Sequence, residues 1–238
     1  MKLILKSLFN ILLLFIVIPV FGQGNEYSIE MDSTLKGYNK FLPTGIRIGA
    51  DLLGPVLYFI DNRNLSYEFT AEVDFDRYFL VAEYGNQQFK EVNDNVDYSM
   101  NGSFYRIGPD ANFLNSDNLL NSFSFGVRYA WGTYNEKVIG VVDEPNWGGV
   151  PVSFDVDNKS RWLELSTGVK VRLYRGIFMG YTLRFRFLRK STVPDVPFDS
   201  YYVPGYGLAD RSNTWGFRYY VLYRIQWAKK PIKPKRKN

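Results

Sequence analysis

Three observations predict an all-β fold, an eight-stranded antiparallel transmembrane up-and-down β-barrel. Eight separated segments alternate apolar and polar residues one for one, the connections between them alternate between short and long, and the apolar face is too bulky for a ring of eight strands to enclose. The clearest segment is LSYEFTAEVDF, Leu65 to Phe75, in which every odd-numbered residue is apolar and every even-numbered one is polar or charged. Successive side chains of a strand point to opposite faces, so this ribbon has one apolar and one polar side. Aromatic residues make up 18% of the 238 residues, a share that suits strands, and with no Cys the fold has no disulfide to lean on.

The first unit of the chain is not part of the barrel. Lys2 and Lys6 precede the apolar run ILLLFIVI at 11–18 and the small-residue site Val20-Phe21-Gly22, the pattern of a secretory signal peptide over residues 1–22. Residues 23–42 form an N-terminal periplasmic segment, 43–228 the barrel, and 229–238 a basic periplasmic tail. That tail and the signal hold eight of the cations, and removing those eight from the net +5 leaves the body at −3. The basic pI of 9.2 is therefore local to the ends, and nucleic acid is not an expected partner.

The strands follow in order. Ile46, Ile48, Ala50 and Leu52 alternate with Gly45, Arg47, Gly49 and Asp51, and the Leu65–Phe75 ribbon comes next. Tyr78, Leu80, Ala82 and Tyr84 share the third apolar face, and Tyr105, Ile107, Ala111 and Phe113 the fourth. Phe123, Phe125, Val127, Tyr129 and Trp131 mark the fifth strand, Leu163 to Leu173 the sixth, and Met179 to Phe187 the seventh. The last runs from Trp215 to Trp227. Turns at Asp76-Arg77 and Tyr174-Arg175-Gly176 are tight, whereas 86–101, 135–159 and 189–212 read as long, irregular outer loops, with 54–63 and 115–121 intermediate.

Volume assigns the faces. About forty residues, many aromatic, cannot fit inside eight strands, so they face lipid and the polar residues face the lumen. No charged residue falls on the outward face of any expected strand. The lumen then holds Arg47, Asp51, Glu68, Glu72, Asp74, Glu83, Arg106, Asp110, Arg128, Glu164, Lys170, Arg172, Arg184, Arg186, Arg218 and Arg224. Buried charges persist when paired, so this predicts a plugged core and not a pore. Pro109, on the outward face of the fourth strand, predicts a bulge or kink. Trp227 is the expected C-terminal barrel signal for assembly, set eleven residues before the end of the chain.

The chain has no His, which excludes Ser-His-Asp and Cys-His nucleophile systems and His-ligated metals. No cofactor or metal is expected, and Glu68 and Glu72 read as structural ion-pair members beside many arginines. The expected outer loops DEPNWGG (143–149) and VPDVPFDSYYVPGYG (193–207) offer Trp147, Phe198, Tyr201, Tyr202 and Tyr206 as a candidate interaction set, for a sugar or a protein, or else as a cap over the barrel. The tail is a candidate for anionic headgroups or an acidic partner, or is simply solvated. Asp32-Ser33-Thr34 resembles a short O-glycosylation acceptor of Bacteroidota.

Taken together, the signal ending FGQ, GIRIGADLLGPVLYFID (45–61), SYEFTAEVDFDRYFLVAEYG (66–85) and FYRIGPDANFL (104–114) resemble a family of small outer-membrane barrels of unknown function from Bacteroidota. An even number of strands would return the chain to the side where it began, with both termini periplasmic. The resemblance implies an outer-membrane location and brings no catalytic residues. It also implies a non-enzymatic structural or interaction subunit of a larger outer-membrane protein complex. A monomeric surface receptor for a glycan or protein and a lipid-modifying enzyme are the alternatives.

Overall fold

The computed structural model describes residues 42–93, 96–114, 119–144, 148–192 and 200–228. The signal segment, Asp32-Ser33-Thr34, Trp147, Phe198 and the basic tail lie outside these residues. The strands are β1 (Gly45–Asp51), β2 (Asn64–Phe75), β3 (Tyr78–Val92), β4 (Val96–Asn112), β5 (Ser122–Glu144), β6 (Gly148–Tyr174), β7 (Ile177–Thr192), the two-residue pair β8 (Tyr202–Val203) and β9 (Gly207–Leu208), and β10 (Thr214–Gln226). One short helix, α1 (Leu53–Tyr58), joins β1 to β2. No described helix is long and apolar enough to cross a membrane.

β1, β2, β3, β4, β5, β6, β7 and β10 pair antiparallel into a closed ring, each with its chain neighbour, and β10 closes on β1. Following the ladder from Gly45 through Asp74, Phe79, Asp110, Gly126, Ser166 and Arg184 reaches β10 at Gly216, while Gly45 itself pairs with Gln226. The ring therefore closes with a stagger of ten residues, 216 to 226, and a strand tilt of about 40°.

Alternation along the strands sorts the faces as the sequence predicts. On β2, Ser66, Glu68, Thr70, Glu72 and Asp74 are buried inside, and Tyr67 and Phe69 are exposed outside. Outward apolar residues extend down every strand, and aromatic residues collect at the two edges. Tyr84, Tyr105, Trp131 and Trp215 mark one edge; Tyr78, Phe113, Phe123, Tyr223 and Trp227 mark the other. Trp215 to Ile225 on β10 spans about 25 Å along the axis at ~3.3 Å per residue and a tilt of ~40°. Above the first edge the outward positions turn polar at Asn86, Ser103, Thr133 and Arg161.

Two expectations are corrected, and the intermediate connection 54–63 gains a structure. The segments 86–101 and 135–159, read as irregular loops, are mostly strand: β3 pairs with β4 up to Val92 and Asp97, and β5 with β6 up to Glu144 and Gly148. Polar and apolar residues mix on both faces there, with Met100 buried inside and Ile139 and Val141 exposed, so the period of two survives in the backbone and vanishes from the hydropathy. The segment 54–63 starts as helix because Asp51 accepts from the amides of Leu53 at 3.1 Å and Gly54 at 2.8 Å. Pro109 makes no bulge. It pairs with Leu80 of β3, and the β4–β5 ladder lapses over Gly108-Pro109 yet resumes in unchanged register, Ile107 on Tyr129 and Asp110 on Gly126. The bulges lie on the β6–β7 ladder instead, between Arg161 and Leu163 and between Arg172 and Tyr174.

The hairpin extensions generate a direct prediction. In amide hydrogen exchange of the folded protein, residues 86–92 and 133–141 should be protected by orders of magnitude relative to a free chain. Exchange there within seconds would return these segments to the loop class.

Candidate functional site in the lumen and its plug

Inward residues come every second position from eight strands, so the lumen is filled in layers. At the end nearest the chain termini, Arg47 lies between the rings of Phe79 and Phe178, 4.8 Å from each centroid, and donates to the carbonyl of Leu120 at 2.9 Å. Glu72 is shared by Arg47 at 3.7 Å and by Lys170, and Arg224 meets Asp74 at 2.8 Å. A separate pair, Arg128 and Asp110, stands on β5 and β4.

The middle layer is a lattice of charges. Glu68 takes Arg106 at 2.9 Å, Arg184 at 2.8 Å, Arg218 at 3.1 Å and the hydroxyl of Tyr220. Glu83 takes Arg184 at 2.8 Å and Arg106 at 3.4 Å. Glu164 takes Arg106 at 2.9 Å, Arg186 at 3.5 Å and the indole N–H of Trp162 at 2.6 Å. Asp51 completes the set against Arg218 at 3.7 Å. Four carboxylates face four guanidiniums, so the layer is neutral, and its members stand on β1, β2, β3, β4, β6, β7 and β10.

The mouth far from the chain termini is closed by residues 200–209, whose pair β8–β9 turns the chain down into the ring. Val203 and Tyr206 are fully buried there and pack with Met100, Phe104, Ala130, Tyr134 and Trp162. Arg106 donates to the carbonyl of Gly205 at 3.1 Å, Arg186 to that of Tyr206 at 2.9 Å, and Arg189 to that of Ala209 at 2.8 Å. Gly205 has φ +74°, and a Cβ there would stand 2.6 Å from the Phe104 ring. The outer edge of the plug hangs on Glu136. Its carboxylate accepts from Ser200 Oγ at 2.6 Å, the amide of Tyr201 at 3.1 Å, Asn158 and the Tyr98 hydroxyl. Burial, then the charge of Glu136, pushes the Tyr98 phenol well up, so it remains a donor at neutral pH.

The structure therefore brings together Arg47, Asp51, Glu68, Glu72, Glu83, Arg106, Glu164, Lys170, Arg184, Arg186, Arg218 and Arg224 as wall-to-wall ion pairs, with Asp110 and Arg128 beside them. Arg172 departs from this set. It sits half-buried at the bulge beside Tyr174 and makes no ion pair among the described residues. Tyr206 departs from the loop set, because its ring fills the mouth at 5.9 Å from Trp162. Tyr202 stacks on Phe89 at 4.4 Å, and Tyr201, 46% exposed, meets Tyr98 edge-on at 5.0 Å. Trp227 closes the strand end, donating its indole N–H to the carbonyl of Pro43 at 2.7 Å.

Sequence reading missed Glu136, Gln87, Tyr220, Trp162 and Phe104. The last three alternate in phase with arginines already assigned to the lumen, which is a usable signal. Glu136 lies where Asn135 and Lys137 give no contrast between faces. The middle-layer carboxylates each meet at least one guanidinium within 4 Å, so none stands free as a general base. Among the described residues no acidic cluster suits a metal ion.

Removing one carboxylate leaves guanidiniums buried without compensation. Glu68→Gln should lower stability by about 3 to 5 kcal/mol in denaturant unfolding of the reconstituted protein. Glu136→Ala should instead leave the barrel folded and speed protease cleavage within 200–209 at least tenfold. Unchanged cleavage would show that the arginine contacts alone hold the plug.

Solved structures similar to this chain are small outer-membrane proteins. They include Ail, the attachment invasion locus protein of Yersinia pestis, at 11% identity and TM-score 0.38 over 77% of this chain and 98% of that one. Acinetobacter baumannii CarO matches at 10% identity and TM-score 0.39 over 80% of this chain and 100% of its own. Neisserial surface protein A matches at 12% and 0.36 over 81% and 100%. No curated protein sequence matches. Residues 4–230 match the profile of a family described as a domain of unknown function, DUF6048, and the chain belongs to that family.

Proposed function

We propose that this chain spans the outer membrane of a Gram-negative bacterium and serves there as a non-enzymatic structural or interaction subunit of a larger outer-membrane assembly. The outward apolar band supports the membrane setting: its height is close to the ~25 Å of outer-membrane barrels, it is edged by aromatic residues, and Arg and Lys stay off it. The resemblance to Bacteroidota barrels supports the same setting.

The observation that carries the subunit reading is where free surface remains. The lumen is saturated with ion pairs and stoppered by residues 200–209, which leaves little room for transport or catalysis inside. The wall, in contrast, holds a groove of about 600 Å³ among Pro109, Ala111, Val127, Leu165, Thr167 and Phe185, in the middle of the apolar band. Small side chains in a lipid-facing surface let another membrane segment approach closely, and a second barrel wall or a membrane-inserted strand of a partner fits that shape.

A second reading rests on the outer face. Tyr201, Tyr202, Phe89 and Tyr98 form an aromatic cluster beside the plug, the chemistry of a surface receptor for a glycan or protein.

The test is a pull-down from membranes solubilised in mild detergent, with the wild type compared against Ala111→Trp and Val127→Trp. Insertion is checked by the heat-dependent shift in gel migration that closed barrels show. The subunit reading predicts stoichiometric partners for the wild type and their loss when the groove is filled. A lone barrel would favour the receptor, and partners retained by both variants would move the interface away from the groove.

A further inference from the structure

The wall of the barrel is incomplete on one side. β1 ends at Asp51, level with Tyr220 of β10 and close to Phe69 of β2, whereas β10 continues outward to Thr214 and β2 to Asn64. The final rung is the amide of Leu52 donating to the carbonyl of Tyr219 at 2.8 Å. Beyond it no strand of the described residues lies between β10 and β2. Alternation then turns the N–H and C=O of Phe217 and Trp215 toward the gap, and those of Ser66 toward it from the other side. In a bilayer such edges require a polar partner.

α1 fills only part of the gap. A notch of about 340 Å³ remains between α1, β10, β2 and the plug, within the range of small-molecule pockets, about 300–1,000 Å³. Its lip is apolar. Trp215 is 66% exposed, and Leu57 and Ile60 of the α1 segment are both exposed. Next to them Phe59 is 89% exposed, the most exposed large apolar side chain among the described residues. Its floor is lined by guanidiniums that keep donors beyond their carboxylate partners, Arg218 meeting Glu68 at 3.1 Å and Asp51 at 3.7 Å and Arg186 meeting Glu164 at 3.5 Å. Gly216 between them lets the Arg186 guanidinium lie against the β10 backbone, 2.0 Å from where a Cβ would stand. The carboxylate nearest the lip, Asp61, is held by Arg63 at 2.8 and 2.9 Å.

We infer that this notch binds the phosphate-bearing head of an amphiphile from the outer leaflet, with phosphate on Arg186 and Arg218 and an acyl chain on Trp215, Leu57 and Ile60. Guanidinium groups pair with phosphate through two parallel hydrogen bonds, and the exposed backbone donors of the edge add to them. A head without a chain would leave the apolar lip bare to water. A chain without an anionic head would leave the remaining N–H donors of two guanidiniums and two strand edges facing hydrocarbon. The ligand that satisfies both is amphiphilic and anionic, and it seals the wall where β1 stops.

The inference rests on the membrane-spanning reading, and its test separates the two. The full chain is reconstituted into phosphatidylcholine vesicles containing phosphatidic acid as the phosphate-monoester probe, and lipid retained by the barrel is read by native mass spectrometry. Failure to insert, seen as no heat-dependent gel shift, overturns the membrane reading. Insertion with one phosphatidic acid retained per barrel, at least tenfold over phosphatidylcholine, is the expected result. Leu57→Asp with Ile60→Asp, on the exposed lip and outside the charge lattice, should abolish that preference while the gel shift persists. Arg218→Gln should do the same, and the lip variant decides the matter if that substitution unfolds the barrel. Insertion without preference for phosphatidic acid overturns the inference. Equal displacement of the lipid by millimolar inorganic phosphate also overturns it, by showing a site for free phosphate and not for an amphiphile.

Discussion

Everything else in this molecule follows from the pairing of four carboxylates with four guanidiniums across a ring too narrow to admit water freely. Closing eight strands satisfies the backbone and leaves a lumen just wide enough for side chains. The outward face has taken the apolar residues, so the inward face must be polar, and its charges must compensate one another. Glu68 alone reaches Arg106, Arg184 and Arg218, which stand on three different strands. A lattice of this kind contributes less to net stability than the Coulomb attraction suggests, because desolvation offsets it. Its larger effect is on specificity, since a one-residue slip in any ladder would turn its inward charges to the outside.

The same lattice sets the position of the plug. Arg106 and Arg186 meet Glu164 with one part of the guanidinium and a carbonyl of residues 205 or 206 with another. The hairpin is thus the lid of the charge layer as well as an outer loop. Glu136 fixes its outer edge. Folding the barrel and closing its mouth are therefore one packing problem, in which Phe104 and Trp162 supply the apolar floor on which Tyr206 and Val203 rest.

The fold was legible because the two faces differ so sharply within the apolar band. Glu68 beside Phe69, or Arg184 beside Leu183, leaves no doubt about orientation, and the ion-pair set could be read directly from parity. Legibility stopped where that contrast stopped. The extensions of β3, β4, β5 and β6 beyond the aromatic edge mix polar and apolar residues on both faces, which in hydropathy reads as loop, and Glu136 disappeared with them. Tyr206 was left between two readings, interaction surface or cap, because a turn-rich segment with Gly205 and Gly207 fits either, and only the shape of the mouth shows that it turns inward as a cap. The end of β1 was legible to within a residue, since the alternation stops at Leu52 and the strand at Asp51, but the longer reach of β10 and β2 beside it was not.

The most direct test of the central claim is the ion conductance of the purified, inserted barrel in a planar bilayer, with insertion verified by heat-dependent gel migration of the same preparation. A lumen sealed by paired charges and its plug predicts an electrically silent protein, with no discrete current steps at 100 mV in molar potassium chloride. Reproducible steps carried by the wild-type protein would mean that water and ions pass between Glu68, Glu164 and their arginines, and the account of a closed, neutral core would be wrong.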